Sequence, residues 1–324
     1  MRMKKMRMKK YLVTGGAGFI GSHIAQRLLD ENAVVRVLDN FSGGKHQNIE
    51  DLVNSRKPGR LEIYEGDLRD AGIVAEVVQD IDVIFHQAAF VSVAESMEKP
   101  QECFDINITG TTILLEAARK AGVRRAVLAS SSAVYGDSEN MPLKEDVPLK
   151  PMSPYAISKR VTEMLAALYT RSFDLEVVAL RYFNVYGPHQ RPDSTYAAAI
   201  PIFLQRMIEK RPATVFGDGG QTRDFVFVDD VVSANLLAAE HAAAAGQIIN
   251  VCSGHETSLL ALLGTIHGLF PGGPNHVFVE SRKGEIYRSL GSAQFAEELI
   301  GYKAQINLAT GLKKTADWMM SVHN

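Results

Sequence analysis

Cysteine is nearly absent from this sequence. Its 324 residues hold only Cys103 and Cys252, too far apart for a metal knuckle or a redox pair. That excludes a disulfide-stapled scaffold, fits a reducing, cytoplasmic setting best, and gives no reason to expect a metal. Long apolar runs are missing as well: no stretch of about 18 uninterrupted apolar residues occurs, so no transmembrane helix is expected. Neither sign of charge dominates. A net charge of -2 gives no reason to expect nucleic acid or an anionic membrane as the main partner. The basic start, Met1 to Lys10, runs straight into a strand without the apolar stretch of a secretion signal, so residues 1–10 read as a disordered tail.

What the chain does have is length for two lobes, at roughly 100 to 200 residues each, and an alternation of strands with helices. Tyr11-Leu12-Val13-Thr14 reads as a short buried strand. Gly15-Gly16-Ala17-Gly18-Phe19-Ile20-Gly21-Ser22 follows and opens an amphipathic helix through Ile24, Leu28 and Leu29. Gly15, Gly18 and Gly21 let the backbone turn tightly and approach a pyrophosphate, and the helix start at Phe19 and Ile20 offers free N–H groups and partial positive charge. The next strand, Ala33 to Leu38, ends at Asp39, about 20 residues after the glycines. A carboxylate there accepts hydrogen bonds from a ribose 2′-hydroxyl and repels a 2′-phosphate, so the spacing predicts NAD rather than NADP.

The alternation continues. Leu61 to Tyr64 leads to Gly66-Asp67-Leu68, Val83-Ile84-Phe85 to His86-Gln87-Ala88-Ala89, and Arg125 to Ala129 to Ser130-Ser131-Ser132. This predicts an α/β fold with a Rossmann-type doubly wound parallel sheet, whose ligands bind beyond the C-terminal strand ends, where Asp67, Ala88 and Ser130 to Ser132 fall. Asp67 reads equally as a contact to the adenosine half of the cofactor or as a helix cap. His86 reads as a core histidine before a catalyst.

Ser153-Pro154-Tyr155-Ala156-Ile157-Ser158-Lys159 opens a further helix, with Ser153 as N-cap and Pro154 in the first position. Tyr155 and Lys159 lie one turn apart on one face, so the Lys159 ammonium can sit beside the Tyr155 phenol and favour its ionised form. A phenol tuned in this way can take a proton from a sugar hydroxyl as its carbon gives up hydride. A hydroxyl from the Ser130 to Ser132 run can hydrogen-bond the same sugar oxygen and orient it.

In this order the segments resemble the extended short-chain dehydrogenase/reductase superfamily, and within it the nucleotide-sugar epimerases. The carriers are Thr14 to Gly21, Asp39-Asn40-Phe41-Ser42, Gly66-Asp67-Leu68 and the Ser-Tyr-Lys set. In the second half they are Arg181-Tyr182-Phe183-Asn184-Val185-Tyr186-Gly187-Pro188, Phe216-Gly217-Asp218-Gly219 with Thr222-Arg223-Asp224-Phe225, and Arg282-Lys283-Gly284-Glu285. The resemblance implies an NAD-binding Rossmann domain over 11–180 and a smaller α/β lobe over 181–324 for the nucleotide sugar, with some segments returning to the sheet. It implies cofactor contacts from the glycine loop, Asp39, Asn40, Asp67, Leu68 and Ala88. It assigns Tyr155 as acid/base, Lys159 to the nicotinamide ribose, and Ser131 to the sugar, with Ser132 as the near alternative.

On the substrate side the resemblance implies Asn184 and Arg223 near the diphosphate, Phe216 near the uracil, Arg282 on the phosphates and Glu285 on the uridine ribose. The arginines have a physical case too, since a guanidinium makes forked, charge-assisted bonds to phosphate oxygens. Ser289 resembles a gate beside the sugar C2 substituent, where a small residue admits N-acetyl sugars. The implied activity is metal-free interconversion of UDP-GlcNAc and UDP-GalNAc, and of UDP-glucose and UDP-galactose, by transient oxidation at C4 with tightly bound NAD. The rival enzyme is a UDP-glucuronate 4-epimerase or decarboxylase, and the rival of another class a catalytically silent NAD-binding scaffold or sensor. Dehydratases of the superfamily carry an Asp-Glu pair where this chain has Ser132 and Ala133, which argues against dehydration. Helices from about Gln101 to Ala121 and from Pro154 to Arg171 resemble the family's pairing helices and imply a homodimer. Leu114, Val161, Leu165 and Leu168 are apolar enough for burial there or within the chain.

Overall fold

Short strands rich in Val, Ile and Leu, buried along most of their length, suit a sheet covered on both faces. The computed structural model describes residues 8–55, 57–191, 198–281 and 286–323. Its strands are β1 (Lys10–Thr14), β2 (Val34–Asp39), β3 (Arg60–Glu65), β4 (Val83–His86), β5 (Arg125–Ser131), β6 (Glu176–Tyr182), β7 (Asn184–Tyr186), β8 (Thr214–Phe216), β9 (Thr222–Phe227), β10 (Ile248–Val251), β11 (Glu256–Ser258) and β12 (Val277–Val279). Seven of them form one parallel sheet in the order β10-β6-β5-β4-β1-β2-β3. The order reverses between β1 and β4, and a doubly wound sheet opens its ligand crevice at such a point. Two small sheets, β11-β9-β7 and β12-β8, belong to the second half of the chain.

The helices are α1 (Phe19–Asp30), α2 (His46–Asn54), α3 (Ala71–Val77), α4 (Val93–Glu98), α5 (Pro100–Phe104), α6 (Thr111–Lys120), α7 (Pro154–Ser172), α8 (Ala199–Ile208), α9 (Val228–Glu240), α10 (Leu259–Leu269), α11 (Gln294–Ile300) and α12 (Leu308–His323). One core joins Ile24, Leu28 and Leu29 of α1 to Val35 and Val37 of the sheet and to Val231 of α9. The other joins Leu114 and Leu115 of α6 and Ala166 of α7 to Leu12 and Leu128. A third, around Tyr186, Phe203, Phe225, Leu262 and Leu312, holds the second lobe.

Three details depart from the sequence reading. β1 starts at Lys10, one residue before the expected strand, because the Lys10 backbone already pairs with Val34. The long helix from about Gln101 is two α-helices joined by a π-helical turn, Asp105–Gly110, ahead of Gly122 at φ +72°. Leu114 is wholly buried inside its own chain and is not available to a partner. Residues 1–7 of the tail, and Arg282 and Glu285, lie outside the described residues. Among the described residues no helix is long and apolar enough to cross a membrane.

Candidate active site

The chain turns off β1 at Gly15, with φ +67°. A Cβ there would stand 2.6 Å from the Ala88 amide nitrogen, so both the conformation and the close approach call for glycine. A Cβ at Gly21 would run into the Gly15 carbonyl, and its absence lets α1 seat against the turn. Gly18 caps α1 without a side chain, and no acidic residue enters the first turn. The amides of Phe19, Ile20 and Gly21 therefore have the character of a helix end that can receive an anion.

Asp39 closes this cradle from the end of β2. Its carboxylate accepts from Ala17 N at 2.9 Å and Phe41 N at 2.8 Å, which braces the glycine turn and leaves a lone pair on each oxygen for a ribose hydroxyl. Burial raises its pKa, opposed by those two N–H bonds. Asn40 donates to Asp67 at 2.9 Å, and Arg69 grips the same carboxylate with two 2.8 Å bonds. Hydrogen bonding to Arg69 holds Asp67 well below the usual carboxylate range. The cap of α3 is Asp70, which accepts from Gly72 and Ile73, so the helix-cap alternative for Asp67 falls away. Leu68 is buried beside it. His86 is a satisfied core residue between Thr14 at 2.7 Å and Thr111 at 2.9 Å, and burial lowers its pKa to about 3. A tight turn without side chains, unused helix amides and a carboxylate at the second strand end fit a dinucleotide with a free ribose hydroxyl.

At the neighbouring strand end, β5 delivers Ser131, whose hydroxyl accepts from Ala133 N at 3.1 Å and caps the 3-10 turn Ser132–Tyr135. The α7 helix opens with Pro154 in its first turn and Ser153 Oγ accepting from Ala156 N at 3.1 Å. In addition, Tyr155 N donates to Ser96 Oγ at 3.2 Å, which pins the start of α7 to α4. The fold brings the three expected groups together. Ser131 lies near enough to the Tyr155 phenol to pull its pKa down, and Lys159 Nζ lies 5.8 Å from the centroid of the Tyr155 ring. One electrostatic expectation needs correction. Burial raises the Tyr155 pKa, with Ser131 pulling the other way, and Lys159 contributes no resolved lowering. The reason is geometric: the ammonium donates to the Ala129 carbonyl at 2.8 Å and lies over the ring. Burial lowers the pKa of Lys159 itself to about 8.

Asn184 of β7, Phe216 of β8 and Arg223 of β9 share a cavity of about 410 Å³. Among the other lining residues are Arg206 of α8 and Gln221, which sequence reasoning did not single out. Gln221 donates to the Phe216 carbonyl at 2.7 Å and leaves its own oxygen buried without a partner. Its place directly before the Thr222-Arg223 motif was the available signal, whereas nothing in the apolar run of α8 marks Arg206. Ser289 is half-buried and does not line this cavity. It lies between Tyr287, whose carbonyl accepts from Thr222 N at 2.8 Å, and Gly291, whose amide donates to Asp224 at 3.2 Å. The segment thus runs beside β9. Among the described residues no cluster of His, Cys, Asp and Glu could hold a metal ion.

Residues 11–252 match the model of the NAD dependent epimerase/dehydratase family. The UDP-glucose 4-epimerase of Mycolicibacterium smegmatis is 40% identical over 311 residues, covering 95% of this chain and 97% of that one. Among solved structures, UDP-N-acetylglucosamine 4-epimerase from Methanobrevibacter ruminantium, in complex with UDP-N-acetylmuramic acid, has a TM-score of 0.91 at 35% identity, over 98% of this chain and 100% of that one. UDP-glucuronic acid 4-epimerase from Bacillus cereus, in complex with UDP-glucuronic acid and NAD, has a TM-score of 0.89 at 32% identity, over 97% and 99%. A match this long, with relatives that align nearly end to end, makes the chain a member of the NAD dependent epimerase/dehydratase family, an extended short-chain dehydrogenase/reductase of the nucleotide-sugar epimerase type that works with NAD.

Proposed function

We propose that this enzyme interconverts UDP-GlcNAc with UDP-GalNAc, and UDP-glucose with UDP-galactose, by transient oxidation at the sugar C4. The observation that carries the reading is the meeting of Ser131, Tyr155 and Lys159 where the end of β5 faces the first turns of α7. NAD, when bound, supplies the acceptor for the C4 hydride and then returns it. Tyr155 takes the proton of the 4-hydroxyl and returns it to the same oxygen after the keto sugar has turned about its diphosphate link, so that the hydride would come back to the opposite face of C4. Ser131 holds the reacting oxygen in line, with Ser132 as the neighbouring alternative. Lys159, its ammonium 5.8 Å from the centroid of the phenol ring, holds the nicotinamide ribose.

In the same reading Gly15, Gly18, Phe19, Ile20 and Gly21 take the pyrophosphate, Asp39 the adenosine ribose, and Asn40, Asp67, Leu68 and Ala88 the remaining cofactor contacts. Asn184 and Arg223 hold the UDP diphosphate and Phe216 the base, with Arg282 and Glu285 assigned by resemblance. A small Ser289 leaves room for an acetamido group at C2. The Rossmann part spans 11–180 and the sugar lobe 181–324, with β10 returning to the large sheet. The working form is a homodimer: Ile157, Met164 and Leu168 are exposed at heptad-like spacing along α7, about Val161. Two free, buried cysteines support a reducing, cytoplasmic setting.

The test is to incubate the purified holoenzyme separately with UDP-GlcNAc, UDP-glucose and UDP-glucuronate, and to quantify C4 epimers and CO₂. Epimers from the first two are expected. Turnover of UDP-glucuronate alone, or CO₂ released from it, would replace this reading with the acid-sugar one. Sedimentation of a monomer at working concentration would reject the dimer.

A further inference from the structure

Three consecutive residues at the end of β5 are each tied to α7. The Ala129 carbonyl accepts from Lys159 Nζ at 2.8 Å, the Ser130 hydroxyl donates to Glu163 Oε1 at 2.8 Å, and Ser131 faces Tyr155, whose pKa it pulls down. The outer two ties belong to the groups assigned above. The middle one leads into a charged network with no part in that chemistry. Glu163 is bound by a fork from Arg181 of β6, Nε to Oε1 at 2.7 Å and Nη2 to Oε2 at 2.9 Å, and the two side chains are 0% and 2% exposed. Arg160 adds a bond to Oε2 at 3.0 Å.

The remaining guanidinium nitrogen of Arg181 donates to the Tyr135 hydroxyl at 2.8 Å and to the Glu145 carbonyl at 3.2 Å. Tyr135 in turn donates to Asn250 of β10 at 2.7 Å. One ion pair therefore connects α7, β5, β6, β10 and the turn that follows Ser131. Enclosing two full charges gains little over apolar side chains of the same size, so net stability is a poor account of the pair. What a fork does supply is a fixed distance and angle between the elements that carry it. Glu163 stands four residues after Lys159 and eight after Tyr155, on the helix face they share.

We propose that Glu163, Arg181 and Ser130 are positioning residues for the epimerase reaction. They lock the face of α7 that carries Tyr155 and Lys159 to the strand end that carries Ser131, and so hold the two hydroxyls at a reacting separation. The role rests on the assignment of Tyr155 as acid/base. Glu163 and Arg181 act through the groups they hold and touch neither sugar nor cofactor.

Ser130→Ala is the sharpest perturbation, since it cuts the strand from the ion pair and leaves the pair and every proposed sugar contact intact. Steady-state kinetics are measured on the holoenzyme with UDP-glucose and with UDP-GlcNAc. The expected result is a kcat about tenfold lower with KM within about twofold, an unfolding midpoint close to wild type, and most of kcat recovered in Ser130→Thr, which keeps the hydroxyl. Equal losses in Ser130→Ala and Ser130→Thr would point to packing and overturn the proposal. A kcat that falls only in step with the folded fraction would overturn it too. Tyr155→Phe in the same series keeps the two claims apart. Normal turnover there removes the acid/base assignment, whereas an inactive Tyr155→Phe beside a fully active Ser130→Ala removes the positioning role alone. Glu163→Gln, which leaves Arg181 without its counter-charge, should lose kcat at least as heavily. If that variant does not fold, the Ser130 pair decides by itself.

Discussion

Replacing Tyr155 by phenylalanine removes one oxygen and keeps the ring, so its costs to fold and to chemistry can be separated. The fold loses at most the interaction of the phenol oxygen with Ser131, no more than about 1 kcal/mol. Ser131 keeps its bond from Ala133 N at 3.1 Å, and Lys159 keeps its 2.8 Å bond to the Ala129 carbonyl. No buried partner is orphaned, and a melting shift of no more than a few degrees, roughly 2 to 4 °C, follows. The chemistry loses its proton acceptor. Positioned proton transfer typically contributes about 10² to 10⁴-fold, or about 2.7 to 5.4 kcal/mol of barrier. Phenylalanine carries no group that can take or return the sugar proton. The variant should therefore bind UDP-sugar with an ordinary KM and epimerise it at least about a hundredfold more slowly. Chromatographic quantification of C4 epimers, with circular dichroism melting on the same preparation, reads both halves. A folded variant within about tenfold of wild-type kcat would refute the assignment of Tyr155.

Gly15→Ala puts an alanine at φ +67°, with its Cβ 2.6 Å from the Ala88 amide, at a backbone cost of about 1 to 2 kcal/mol before any clash. The purified variant should carry far less NAD, and full occupancy after gel filtration would contradict the cradle. Stability should fall with acid. His189 and His86 are held neutral by burial, with pKa values of about 4 and about 3 against an ordinary 6.5. Below pH 6.5 the unfolded chain binds protons that the folded one does not, so stability is complete above about 6.5 and declines toward pH 4, by at most about 1.4 kcal/mol per pH unit for each histidine. Denaturant midpoints that stay flat from pH 7.5 to about 5 would contradict this. Ser289→Tyr should block the acetylated pair and spare UDP-glucose; unchanged epimerisation of UDP-GlcNAc would sink the gate.

How much of this was legible in the sequence depends on how far apart the cooperating residues lie. Ser153 and Pro154 state where α7 begins because a cap is a matter of three neighbouring residues, and the Ser153 to Ala156 bond is 3.1 Å. Asp39 was legible because a strand of fixed rise carries it to a fixed place. The π-helical turn Asp105–Gly110 left no such mark, since one extra residue in a turn hardly disturbs an apolar period. Yet it presents Asn107, which bonds Phe90 through its backbone and Ser158 through its hydroxyl. The direction of the Tyr155 pKa was misread for a related reason. Helical spacing gives the neighbour but not the desolvation, nor the Ala129 carbonyl that claims the Lys159 ammonium. The ion pair is the extreme case. Glu163 and Arg181 sit on a helix and a strand where each alone reads as an ordinary charged residue. Only when α7 is laid across β5 and β6 do they prove to be fully enclosed and matched to one another. A buried charge needs its partner at hydrogen-bond distance from every side, so any sequence that places one there commits the helix to a single seating on the sheet. That seating fixes where the Tyr155 oxygen can be.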